Sequence, residues 1–195
     1  FEGVFGQLTV AEGSSSIVTA EHLAGLTGKL SDASYMAIGG AYTRNANGAA
    51  GIPQSVIIEG GIRKTDAMVD LPKMVGIADI ITPKPGERPR NNLISWRLDS
   101  PNEPSFYYVQ ILTPMNRPVW QAFVPGSATS VRLPDFPDFS HLPPDQRPVP
   151  YPGGTYKLQV LGIRSPGTSF GNFSYSDLSI DKWNAFSANG HVISF

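Results

Sequence analysis

Not one cysteine occurs among the 195 residues. That absence excludes disulfides, thiolate metal sites, covalent haem attachment and a cysteine nucleophile. Charge is scarce as well: 16% of residues carry it, with 15 Lys and Arg against 16 Asp and Glu, for a formal net charge of −1. So small a field does not steer a protein toward phosphates or acidic lipid, and nucleic acid is not an expected partner. Long apolar runs are missing too. None reaches the 18 or more residues of a membrane-crossing helix, so no membrane insertion is expected. The opening Phe1-Glu2-Gly3-Val4-Phe5 has neither an initiator Met nor a signal-peptide pattern, as expected of a processed or excised terminus. His22, His141 and His191 lie far apart, without the paired spacing of a zinc site, and no cofactor is expected.

What the chain has in quantity is Gly and Pro. Its 20 Gly and 18 Pro make about a fifth of the sequence, against roughly 12% in average usage. Short strands joined by many turns follow. The length suits one large β domain or two sandwiches of about 100 residues each. A Cys-free β chain of this composition is expected in an extracytoplasmic setting, secreted or on a bacterial cell surface.

Alternation fills in the strands. Val4, Leu8 and Val10 share one parity and Gln7 and Thr9 the other, which reads as a half-buried strand. Thr19 to Leu26 is the one helical candidate, with Thr19 as N-cap and Gly25 and Gly28 as stops. Strands are read at Ser34–Ile38, Ser55–Glu59 and Ala67–Leu71. Thr82–Arg90, punctuated by Pro83 and Pro85, reads as a stiff polar linker. Beyond it Ile94, Trp96 and Leu98 alternate with Ser95, Arg97 and Asp99. Further strands are read at Phe106–Leu112, with Tyr107, Val109 and Ile111 on one side, at Pro118–Val124 and at Ala128–Leu133. Thr155–Arg164 follows, carrying Tyr156, Leu158 and Val160, and then Tyr175–Ile180 and His191–Phe195. The expected fold class is all-β: two tandem antiparallel β-sandwich modules, residues 1–85 and 90–195, or one fused β unit.

One stretch resembles a known family. Ile94-Ser-Trp96-Arg-Leu98, then Phe106-Tyr-Tyr-Val-Gln-Ile111, then Val124 to Leu133 and Tyr156-Lys-Leu-Gln-Val160 follow the order of core residues in a fibronectin type III domain. The resemblance covers residues 90–180. It implies an immunoglobulin-like sandwich in which Trp96 packs between two sheets and Tyr156 takes the place of the family's corner tyrosine. The stretch from Leu133 to Tyr156 is longer than the family's connection, and no Arg-Gly-Asp tripeptide is present. No function follows from fold analogy alone.

Four groups of residues could carry chemistry. Gly167-Thr-Ser169-Phe-Gly171 fits the G-x-S-x-G pattern, with Asp177 or Asp181 and His191 after it, as in a serine hydrolase. A nucleophile elbow needs a strand, a sharp turn and a helix, and Asn172–Asp177 is a poor helix start, so a Gly-rich loop is the plainer reading. Asp135, Asp138 and Asp145 crowd one loop, and Asp66 and Asp70 another. Hard cations favour such carboxylates, but the spacing fits no EF-hand, which leaves Asp135 and Asp138 as weak metal candidates. Trp120, Trp183, Tyr108, Phe170, Phe173 and Tyr175 include aromatics that alternation places outside a core, where they could stack on sugars or meet a protein partner. The fourth group is the Pro-rich loop 134–152. Its prolines keep it out of a sheet interior, and Phe136, Phe139, Leu142 and Tyr151 could staple it to the sandwich or dock a partner.

The sequence therefore leads to a non-catalytic structural or interaction module, with Trp120, Phe136, Phe139, Tyr151 and Trp183 as contact residues. Protein partners or self-association are expected. Carbohydrate binding through exposed aromatics and serine hydrolysis through Ser169 are the alternatives.

Overall fold

The computed structural model describes residues 25–44, 46, 50–64, 68–136, 141–143, 150, 153–179 and 182–195. The strand read near the start of the chain lies outside them, as does most of the helical turn read before Leu26. Among the described residues there are nine strands: β1 Tyr35–Arg44, β2 Ala50–Ile62, β3 Ala78–Thr82, β4 Leu93–Leu98, β5 Phe106–Leu112, β6 Pro118–Pro125, β7 Ser130–Arg132, β8 Thr155–Arg164 and β9 Ala185–Ser194. They form a six-stranded sheet in the order β1-β2-β9-β8-β5-β6 and a three-stranded sheet in the order β3-β4-β7. Every pairing is antiparallel. The fold is all-β, as the turn-rich composition and the alternation require.

The core follows from that alternation. On β5 the residues Tyr107, Val109 and Ile111 are fully buried, and so are Leu158 and Val160 of β8 and Ile193 of β9. Cross-strand partners share a face, and the register pairs Val109 with Val160 and Ile111 with Leu158. Ile94 and Trp96 of β4 meet this face from the smaller sheet. The Trp96 ring stands edge-on to Tyr107 with centroids 5.0 Å apart. Two antiparallel sheets thus close over one apolar layer.

Strands β1 and β2 join the same sheet rather than forming a separate one. β2 pairs with β9 through Gln54 to Ile57, which adds the β1–β2 hairpin to the edge beyond β9. Residues 73–78 then cross the inner face as a strap. Ser55 Oγ donates to Val75 O at 2.7 Å, Ser187 Oγ to Gly76 O at 2.8 Å and Asn189 Nδ2 to Ala78 O at 2.9 Å. Gly162 leaves room for it: a Cβ there would come within 3.3 Å of Val75 and 2.9 Å of Ser187 Oγ.

Hydrogen bonds also cross the segment expected to be a linker. Gly86 N–H donates to Val192 O at 2.8 Å, Ser194 N–H to Glu87 O at 3.2 Å, and His191 Nε2–H to Pro83 O at 2.8 Å. Residues 83–87 are thus bonded to the last strand, β9.

Two strand expectations are corrected. Tyr175–Leu178 is a 3₁₀ turn. Ser174 and Asp177 form a reciprocal capping box around it, a local bonding pattern that competes with a sheet ladder. Residues 68–71 have no strand assignment and lead into the strap. β3 escaped the alternation reading because it is short, with Asp79 and Ile81 exposed.

Candidate interaction surface

Seven strands of the molecule surround the main core; the β1–β2 hairpin stands outside it and carries the most unusual surface. On β1 the side chains of Met36, Ile38 and Tyr42 share the outer face. They are 59%, 65% and 46% exposed. The facing strand contributes Ile58 opposite Ile38, Val56 opposite Gly40 and Gln54 opposite Tyr42. Gly40 permits this pairing to be close, since a Cβ there would sit 2.6 Å from Ser55 O. Beneath the other face lies Leu71, 44% exposed, whose Cδ1 would be 3.7 Å from a Cβ at Gly39. Isolated apolar side chains are ordinary on a surface, but a row of them along the outermost described strand of a sheet is not.

Farther across the same outer face lies an aromatic cluster. Tyr108 stacks on Phe123 with centroids 4.6 Å apart and planes 6° apart, and Phe123 stacks on Phe173 at 5.0 Å. Phe106 meets Phe173 edge-on at 5.2 Å. The connection after β8 folds back here, with the left-handed φ of +79° at Gly167 in its turn. Its aromatics seal the end of the sheet, and the stacked ring faces are engaged with one another. Tyr175 stays 80% exposed. Beside the cluster Gln159, Gln110 and Gln121 sit opposite one another across three strands. Gln110 Nε2 donates to Gln159 Oε1 at 2.8 Å, and Gln121 Nε2 donates to Tyr108 Oη.

The other residues singled out from the sequence are dispersed. Trp120 is partly buried and packs against the main core. Trp183 Nε1 donates to Asp177 O at 2.9 Å, and its ring lies 6.0 Å from Phe186. Phe136 stands edge-on to Phe195 at 5.7 Å, so the start of the Pro-rich loop is stapled to the core. Phe139 and Tyr151 lie outside the described residues. Asp135 is exposed and accepts from Asn92 Nδ2 at 2.6 Å. Asp138 lies outside the described residues, as do Asp66 and Asp145. Among the described residues no three His, Asp or Glu side chains gather as a metal-binding group.

The G-x-S-x-G serine has different company from a nucleophile. Ser169 Oγ donates to Asn172 Oδ1 on an exposed 3₁₀ turn. Asp177 is bonded by Ser174 N–H at 2.8 Å and by Lys182 Nζ at 3.2 Å. These two donors, Ser174 first, hold its carboxyl below the usual carboxylate range. His191 lies six residues along β9 from Ala185, where that connection ends, or roughly 20 Å at the usual strand rise. Asp181 lies outside the described residues. Ser169, Asp177 and His191 are not brought together.

Fold and surface thus define a class, an all-β protein of two antiparallel sheets with an extended edge hairpin. No protein-family model, curated protein or solved structure matches the chain.

Proposed function

We propose that this chain is a non-catalytic structural and interaction module of a secreted or cell-surface assembly, built on a fibronectin III-like sandwich. The observation that carries the reading is the edge of β1. Ten residues, Tyr35-Met-Ala-Ile-Gly-Gly-Ala-Tyr-Thr-Arg44, contain one charge, at the last position, and no proline. Edges of monomeric proteins are usually blunted by charge, proline or bulges; here the register irregularities against β2 fall near the two ends of β1, and Ala37 to Tyr42 pair with it without interruption. An edge left apolar is suited to strand addition by a partner.

The finer fold reading has its own support. Counted from β3, the first, second and fifth strands form one sheet, and the third, fourth, sixth and seventh form the other. Immunoglobulin-like sandwiches divide their strands in that way, A, B and E against C, C′, F and G. Trp96 lies between the sheets at 1% exposure, and Tyr156 is buried at the start of β8. The hairpin β1–β2 is an addition to the edge of the last strand. Low charge, absent cysteine and high Gly and Pro content support the extracytoplasmic setting.

Light scattering on the native chain over a range of concentrations, with and without calcium, tests the role. A mass that grows with concentration supports association through the chain's own surface. A mass indifferent to both moves the role to a different protein partner. An esterase activity that Ser169→Ala removes would overturn the non-catalytic reading altogether.

A further inference from the structure

The edges of the two sheets are built differently. β6 begins at Pro118 and ends at Pro125, and each proline lacks the N–H that an added strand would need. β3 and β7, at the edges of the small sheet, have five and three residues. Among the described residues β1 is the long edge without proline or, up to Thr43, charge; its register against β2 is irregular only near its two ends and regular from Ala37 to Tyr42. Its partner must therefore bring an edge of its own, and its uncharged stretch up to Thr43 offers nothing to a charged peptide.

The geometry points to a second copy of this chain, pairing β1 with β1 antiparallel about a two-fold axis through Gly40. This rests on the interaction-module reading and names its partner. Residues directly opposite in an antiparallel pair share a face, and a two-fold axis normal to the sheet keeps each outer face outward. Even positions of one copy therefore meet even positions of the other. With Gly40 opposite Gly40, Ile38 of each copy faces Tyr42 of the other, twice over. On the inner face Gly39 meets Ala41, small residues that leave space for Leu71. A register centred on Gly39 instead places Ile38 opposite Gly40, where no side chain covers it.

The pair closes on itself. Adding β1 of one copy to β6 of the next would repeat without end, and Pro118 and Pro125 stand in its way. Pairing β1 with β1 consumes both free edges and stops at two copies. One strand pair with its flanking side chains lies toward the low end of specific interfaces, about 1,200 Å². A concentration-dependent dimer is the result, rather than a permanent one.

Because the chain has no cysteine, a variant carrying Ile38→Cys and Tyr42→Cys has only the two thiols introduced. Four residues apart on one strand, they are separated by roughly 13 Å, beyond the reach of about 7 Å for a disulfide. Any disulfide must join two copies. Oxidation should give a covalent dimer from the double variant and far less from Ile38→Cys alone. In the otherwise native chain, Ile38→Lys should weaken dimerisation at least tenfold with the melting temperature of the isolated monomer unchanged, so the proposal stays testable if the double variant fails to fold. A native chain monomeric at every concentration overturns the dimer, as does a dimer indifferent to Ile38→Lys, or growth beyond two copies. Each leaves the interaction-module reading standing, because that reading falls to the Ser169-dependent esterase result.

Discussion

The two halves of the six-stranded sheet are held by different forces. Strands β5, β6, β8 and β9 face the smaller sheet across Trp96, Tyr107, Ile111, Leu158 and Ile193, a fully buried layer. The β1–β2 hairpin has a much smaller core, Ile57 with Val75 and Ala185. It is held instead by backbone pairing and by the strap, whose carbonyls accept from Ser55, Ser187 and Asn189. Apolar burial is non-directional and large, about 25 cal/mol per Å². A hydrogen bond is directional and contributes about 1 kcal/mol net. One half is thus fixed by packing, while the other is positioned by a few polar contacts and keeps its apolar side chains on the surface. The same sheet thus joins a packed body to a more lightly held edge hairpin.

The largest effect should come from the packed half. Trp96→Ala removes a ring that is 1% exposed and should cost about 3–5 kcal/mol, read as a fall in thermal or denaturant midpoint. A near-neutral shift would remove the basis for placing Trp96 between two sheets. Next comes the strap. Ser187→Ala leaves the buried Gly76 carbonyl without that donor, at a cost of about 1–3 kcal/mol. Hydrogen exchange should quicken in β1 and β2 more than in β5 and β8. Equal acceleration everywhere would show that the two halves are one cooperative unit.

A protease sharpens the comparison in another way. The Thr82–Arg90 segment is bonded to β9 and has Pro83 and Pro89 buried, so it should resist cleavage in the native chain. Release of two folded pieces would support the two-module division expected from the sequence.

Legibility follows the same divide. Period-two alternation exposed β4, β5 and β8 and their buried residues, because each has one face in the core and one outside. It also located Trp96 and Tyr156. The strand expected at Ser34–Ile38 runs on to Arg44 as β1, and apolar residues in sequence look alike whether they face a core or the outside. The strap was hidden for a different reason. Ser55, Ser187 and Asn189 break the apolar pattern at inward-facing positions, yet nothing local says that their acceptors lie 20 to 111 residues away. Polar residues at core-facing parity were the available signal. The aromatic cluster was half visible: Tyr108, Phe173 and Tyr175 were singled out, but Phe123, the ring that joins them, was read as part of an ordinary strand.

The smallest effect at neutral pH, and the most diagnostic of the packed half, should come from Tyr107→Phe. Burial pushes the Tyr107 phenol up to about 12, and the Glu103 carboxylate adds to the shift. Its hydroxyl and Trp96 Nε1 are both buried without a hydrogen-bond partner among the described atoms. Removing the hydroxyl therefore sacrifices no satisfied bond, and the melting temperature at pH 7 should stay close to native or rise. The pH dependence is where the variants part. The folded state disfavours the phenolate, so this group's contribution is complete below pH 10, its ordinary value, and is lost as pH climbs toward 12. The native chain should lose stability across that window, and Tyr107→Phe should lose less. Coincident alkaline melting curves would mean that Tyr107 ionises as freely in the folded chain as in the unfolded one. The packed half would then be open to water where the sheets are supposed to meet.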